Sequence, residues 1–167
     1  DSNGWKPNLL EKLIQEKLVD YVAMDIKNSP SNYPKTAGTS IDLLSIDRSI
    51  KLLQNSGIGY EFRTTIMEEF HDEEAIKAIG QWIHGAKRYY LQKYEDRAGC
   101  LEHGFHPISK EKAEKFASLL RDDVEEVSLR GYEWGQISEA VHGGICPIAY
   151  RRRHLANLFD TGISTGK

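Results

Sequence analysis

Cysteine is nearly absent from this chain: Cys100 and Cys146 are the only two in 167 residues. Two cysteines build no disulfide framework, and nothing else points to secretion, so a cytoplasmic setting is expected. Charge of one sign is also lacking. Twenty-two Lys and Arg stand against 25 Asp and Glu, a formal charge of -3 that offers no basic field for nucleic acid. The longest apolar stretches, such as Asp20 to Ile26 and Gly144 to Tyr150, fall far below the length of about 20 residues that a membrane-spanning helix needs. Gly-rich phosphate loops of the Rossmann or Walker type are missing, as is a Gly-x-Ser-x-Gly elbow. What remains is a chain of single-domain length with 40% hydrophobic residues, enough to build a core.

Apolar periodicity then alternates along the chain. Pro7 to Leu18 carries Leu9, Leu10, Leu13, Ile14 and Leu18 at helical spacing, with Pro7 suited to a first turn. Asp20 to Lys27 is short and almost continuously apolar, as a strand buried on both faces would be. Asn28 to Ser40 reads as a loop broken by Pro30, Pro34 and Gly38, and Asp42 to Ser56 as a helix ended by Gly57. Strands are expected over Ile58 to Met67, Ala86 to Tyr94 and Val124 to Arg130. Helices are expected over Asp72 to His84 and Ser109 to Arg121, Asp72 and Ser109 being the caps. This order implies an α/β fold with parallel strands and right-handed crossovers, either a layered sheet or a piece of an α/β barrel, plus whatever strand the opening residues terminate. From Glu133 onward the rhythm stops: one short helix from Trp134, a break at Gly143, Gly144 and Pro147, and a flexible end are expected.

Ligands in parallel α/β folds gather at the carboxyl ends of the strands. Ala23, Asp25 and Lys27 share one face by the period of two, the last two at the strand end. A carboxylate beside an ammonium suits a zwitterion, although a loop cap and a snorkelling lysine would look the same. Glu61, Arg63 and Thr65 share a face of the next strand, opposite Tyr60, Phe62 and Thr64. Such a polar face needs partners, as an ion pair filling a barrel interior or as a guanidinium aimed at an anion. Gln92 and Tyr94 hold the comparable place on the third strand with a weaker signal. Cys100, His103 and His106 offer a three-ligand spacing that matches no recognised zinc motif. Met24, Tyr89 and Tyr90 read as core, and Arg151 to Arg153 as a solvated cluster.

Taken in order, Asp1-Ser-Asn-Gly4, a helix, and Asp20-Tyr-Val-Ala-Met-Asp-Ile-Lys27 resemble the D-T-N-G and D-x-V-x-x-D-I-K pattern of the radical S-adenosylmethionine activases that install glycyl radicals. Tyr60 to Thr65, Glu69-Phe-His-Asp72, Gly85 to Gln92, Gly104-Phe-His-Pro107 and Val127 to Gly131 look most like the anaerobic ribonucleotide reductase branch, with the pyruvate formate-lyase branch as the alternative. The resemblance covers residues 1–131, leaving 132–167 as a tail of unknown origin. It implies the C-terminal half of a partial (β/α)6 barrel. It also implies a [4Fe-4S] cluster on a Cys-x3-Cys-x2-Cys motif, and a 5'-deoxyadenosyl radical, formed from S-adenosylmethionine, that takes a hydrogen from a glycine of the partner enzyme. By the same resemblance, Asp25, Ile26, Lys27 and Arg63 match the segment around S-adenosylmethionine. Asp1, Ser2, Ala23 and Asp25 match a monovalent-cation site in which Ser replaces Thr. Glu95 stands where the formate-lyase branch has a histidine on the adenine side, and that role does not transfer.

The three-cysteine motif does not occur in this sequence. The expectation is that the chain starts after it, Asp1 being an internal residue, and that this chain alone holds no cluster and is inactive. Two other readings stay open: a cluster-free scaffold or interaction domain, and an unrelated small α/β enzyme using Asp25, Lys27 and Arg63 on an anionic metabolite. A half-barrel is further expected to expose strand edges and an apolar inner face, and so to self-associate.

Overall fold

The computed structural model of the chain describes residues 1–96 and 103–132. Helix α1 (Pro7–Gln15) has proline in its first turn, where the missing N–H costs nothing. Strand β1 (Tyr21–Asp25) follows, then a short helix α2 (Tyr33–Ala37) and helix α3 (Leu43–Asn55). The Asp42 carboxylate caps α3 by accepting from the Leu44 amide. Strand β2 (Gly59–Ile66), helix α4 (Glu73–Trp82), strand β3 (Ala86–Lys93), helix α5 (Lys110–Leu119) and strand β4 (Val124–Arg130) complete the series. Asp72 caps α4 through the Ala75 amide and Ser109 caps α5 through the Lys112 amide, as their positions ahead of the helical patterns predict.

Helix α2 corrects the loop expected over 28–40. Pro34 sits in its first turn, and Gly38, at φ +68°, takes the left-handed conformation that ends it. The residues read as breakers are therefore the two ends of one short helix.

The strands form one wholly parallel sheet in the order β1-β2-β3-β4. Ser2 bridges Met24 in parallel, its N–H donating to the Ala23 carbonyl at 2.8 Å and its own carbonyl accepting from the Asp25 N–H at 2.9 Å. The opening residues thus run alongside β1. Alternation along the strands separates two chemistries. Val22, Met24, Tyr60, Phe62, Ile66, Tyr89 and Leu91 pack in one core with Ile46, Ile50, Leu53, Ile76, Ile79 and Phe116 of the helices. Each such buried side chain contributes about 2 kcal/mol.

Positions of the other parity carry Asp25, Glu61, Arg63, Thr65, Arg88, Tyr90, Gln92, Glu126, Ser128 and Arg130, arranged in rows by the register. The expected apolar inner face is therefore overturned. The helices bury one side of the sheet only, and the period of two delivers charge to the other. Tyr89 is fully buried whereas Tyr90 is half-buried on the charged face, so only the first of that pair is core. Among the described residues, no helix is long and apolar enough to cross a membrane. The expected Trp134 helix, Cys100, Cys146 and all the tail except Tyr132 lie outside the described residues.

Candidate functional site

Asp25 is the last residue of β1, and the parallel register sets it beside Arg63 of β2. Its Oδ1 accepts from Arg63 Nε at 2.5 Å and its Oδ2 from Lys27 Nζ at 2.9 Å. Arg63 also reaches Asp1, Nη2 to Oδ2 at 3.1 Å. The four side chains form one alternating cluster of two carboxylates and two cations at the carboxyl end of β1. Burial works against the charge on Asp25, but Lys27 and Arg63 together outweigh it and hold the carboxyl below its usual range. The sequence-level pairing of Asp25 with Lys27 and the anion-seeking Arg63 therefore meet in one place.

Ile26 is placed differently. Its side chain is fully buried in the core. Its N–H donates to the Arg63 carbonyl at 2.9 Å and its carbonyl accepts from Thr64 Oγ1 at 2.6 Å. Ile26 anchors the strand end, with its side chain in the core and both backbone groups committed to β2. The Asp1, Ser2, Ala23 and Asp25 set is also adjacent in space. However, Ser2 and Ala23 are joined by backbone pairing to β1, and both carboxylates face the Arg63 guanidinium. A cation there would share those carboxylates with Arg63.

One strand row away, Glu61 is buried and saturated. It accepts from the Tyr21 hydroxyl at 2.8 Å and from Arg130 Nη1 at 3.0 Å, while the Arg130 guanidinium lies 3.9 Å from the centre of the Tyr90 ring. This satisfies the polar face of β2 internally and is the ion-pair reading of Glu61. Its partners lie 40 and 69 residues away in sequence. Thr65 is exposed and aligned with Gln92. Among the described residues, no group of three or more His, Cys, Asp or Glu side chains is arranged around a metal site. His103 pairs with Asp96, and His106 pairs with Glu69 at 2.7 Å, so the two histidines turn to different acids.

Sequence reasoning gave His71 no role of its own beyond its place in the Glu69-Phe-His-Asp72 stretch. It is buried and lies between the loops that follow β1 and β2, with Nε2 3.0 Å from the Lys27 carbonyl. The signal was beyond local reading because its partner is 44 residues upstream.

Comparison with known proteins agrees with this architecture. No family model matches the sequence. A Methanocaldococcus jannaschii protein, named as a candidate glycyl-radical enzyme activating enzyme, is 32% identical over 101 residues. The match covers 58% of this chain and 42% of that protein, so the chain spans less than half the length of the curated relative it matches. A crystal structure of a domain of pyruvate-formate lyase-activating enzyme from Bacteroides vulgatus superposes with a TM-score of 0.61. The superposition covers 78% of this chain and 79% of that one, at 15% identity. The chain shares the fold of that solved domain, an α/β arrangement of parallel strands alternating with helices. The sequence likeness is to a protein named for activating a glycyl-radical enzyme, and neither likeness separates one partner enzyme from another.

Proposed function

We propose that the chain supplies the C-terminal strands of a radical S-adenosylmethionine activase whose partner is a glycyl radical enzyme. The anaerobic ribonucleotide reductase is favoured over pyruvate formate-lyase because the residues from Tyr60 to Thr65 and from Gly85 to Gln92 follow that branch. The observation that carries the reading is the Asp25, Lys27 and Arg63 cluster at the carboxyl end of β1 and alongside it on β2.

Those residues fit the amino-acid end of S-adenosylmethionine. A ligand ammonium takes the place of one cation on Asp25, and a ligand carboxylate accepts from the cation set free. The role of this chain is to bind and orient that end of the ligand. The [4Fe-4S] cluster, which supplies the electron for radical chemistry in such enzymes, does not fit the residues present. It requires three closely spaced thiolates, and the sequence has two distant cysteines. The monovalent cation at Asp1, Ser2, Ala23 and Asp25 belongs to the same proposal.

The test is a titration of the isotope-labelled full chain with S-adenosylmethionine, followed by NMR. Weak binding is expected, with shifts centred on Asp25, Lys27 and Arg63 that vanish in Asp25→Ala. Shifts centred elsewhere, or surviving that substitution, would refute the reading. Surface plasmon resonance against both partner enzymes decides the branch, stronger binding to the reductase being expected.

A further inference from the structure

The loops leaving β1 and β2 are tied by two hydrogen bonds that mirror one another. His71, on the second loop, meets the carbonyl of Lys27 on the first at 3.0 Å. Asn28, on the first loop, donates from Nδ2 to the carbonyl of Phe70 on the second at 2.8 Å. In each case the carbonyl offered belongs to the residue just before the other loop's reaching side chain. His71 and Asn28 are each 1% exposed.

The chemistry of the clip is fully determined by its neighbours. The Met67 N–H donates to His71 Nδ1 at 3.1 Å, so that nitrogen carries no proton and Nε2–H is the donor to Lys27. Burial keeps the imidazole neutral by lowering its affinity for a proton. Asn28 is equally committed: Nδ2 also donates to Thr36 Oγ1 at 2.8 Å, and Oδ1 accepts from the Ser29 N–H at 2.7 Å. Lys27 is therefore held on both sides, by Thr64 on the carbonyl of Ile26 and by His71 on its own carbonyl. Its ammonium is delivered to Asp25 from a backbone with little freedom to shift.

We propose that His71, assisted by Asn28, is a positioning residue that fixes Lys27 against Asp25 and so sets the spacing of the ligand-binding charges. The ligand part of this inference rests on the function proposed above; the Lys27–Asp25 part does not. His71 has no contact with the charged cluster itself and acts through the Lys27 carbonyl.

The experiment uses the full chain with three readouts: ring nitrogen NMR of His71, the Lys27 Nζ–Asp25 separation in crystal structures of wild type and variants, and S-adenosylmethionine titration. The wild-type ring is expected as the neutral Nε2–H tautomer. His71→Phe fills the volume without either hydrogen bond, and is expected to open the Lys27–Asp25 ion pair as Lys27 drifts away. Affinity for S-adenosylmethionine is expected to fall about tenfold, a modest share of a charge-assisted contact. His71→Gln, whose amide donates from the same end, is expected to restore the pair. Should the Phe variant not fold, Asn28→Ala, which breaks the other half of the clip, is expected to loosen the pair in the same sense. An Nδ1–H tautomer, or a Lys27–Asp25 pair left intact in the disrupting variant that folds, overturns the proposal. A wild-type chain that ignores S-adenosylmethionine while its Lys27–Asp25 pair still answers to the clip refutes the proposed function and upholds the positioning role.

Discussion

Thr64 is the most informative single position in the core. It is 1% exposed, on the helix-covered side of β2, and its one hydroxyl hydrogen goes to the Ile26 carbonyl at 2.6 Å. Its other contact, with the fully buried Tyr89 hydroxyl at 2.6 Å, must then be one in which tyrosine donates. The result is a relay running Tyr89 to Thr64 to Ile26. Thr64→Val keeps the shape but removes two hydrogen bonds and leaves a phenol O–H stranded, which costs about 3 kcal/mol. Tyr89→Phe removes only one bond and leaves the Thr64 donation to Ile26 intact, costing about 1 kcal/mol. In the double variant the stranded phenol is gone and only the Ile26 carbonyl lacks a partner, costing about 2 kcal/mol. The double variant is therefore expected to be more stable than Thr64→Val by about 1 kcal/mol, with a coupling of about 2 kcal/mol. Urea unfolding followed by circular dichroism measures all four corners of the cycle. Additive costs, or a double variant less stable than Thr64→Val, would refute the relay and the donor sense assigned to it.

Three further outcomes follow from the same geometry. Gly4 has φ +75°, and a Cβ there would lie 2.1 Å from the Cε of the fully buried Met24. Gly4→Ala is therefore expected to cost about 2–4 kcal/mol, against about 1 kcal/mol for Gly38→Ala, whose Cβ meets nothing; equal losses of thermal stability in the two variants would count against this. The depressed proton affinity of Asp25 adds stability that is present above its unfolded value of about 3.9 and is lost as pH falls through the lower folded value. Arg63→Met moves that acid transition to higher pH, which acid unfolding curves measure. Among the described residues, β4 has no neighbour on its outer side, so mass by light scattering is expected to rise with concentration; a constant monomer mass would exclude edge pairing.

The alternation of strand and helix was legible because each element carries its own local signal: Asp72 and Ser109 cap where capping residues precede apolar periodicity, and Pro7 opens α1. The charged face was legible at Glu61 and Arg63, whose polar character on a parallel strand demanded partners. What hid its extent was the default that a parallel sheet is buried on both sides. Alternation in Arg88, Tyr90 and Gln92, and in Glu126, Ser128 and Arg130, held the correction. Helix α2 was hidden because Pro34 and Gly38 break a helix interior yet suit its ends. The partners of Glu61 and His71 were out of reach for another reason. Tyr21, Arg130 and Lys27 come close only once the sheet has formed, and no local pattern encodes a pairing across that distance.

The cluster at Asp25 has a consequence for selectivity. Both of its oxygens are already taken by cations of the same chain, and Arg63 is shared with Asp1. Under the proposed function, docking here would be an exchange of partners. A zwitterion that gives its ammonium to Asp25 and its carboxylate to the released cation leaves as many ion pairs as it found. A ligand bearing one sign of charge leaves an orphan, whose uncompensated charge weighs more the less water reaches it. Recognition of that kind counts charges in pairs, and because nothing net is gained or lost, it should hold nearly constant as ionic strength rises.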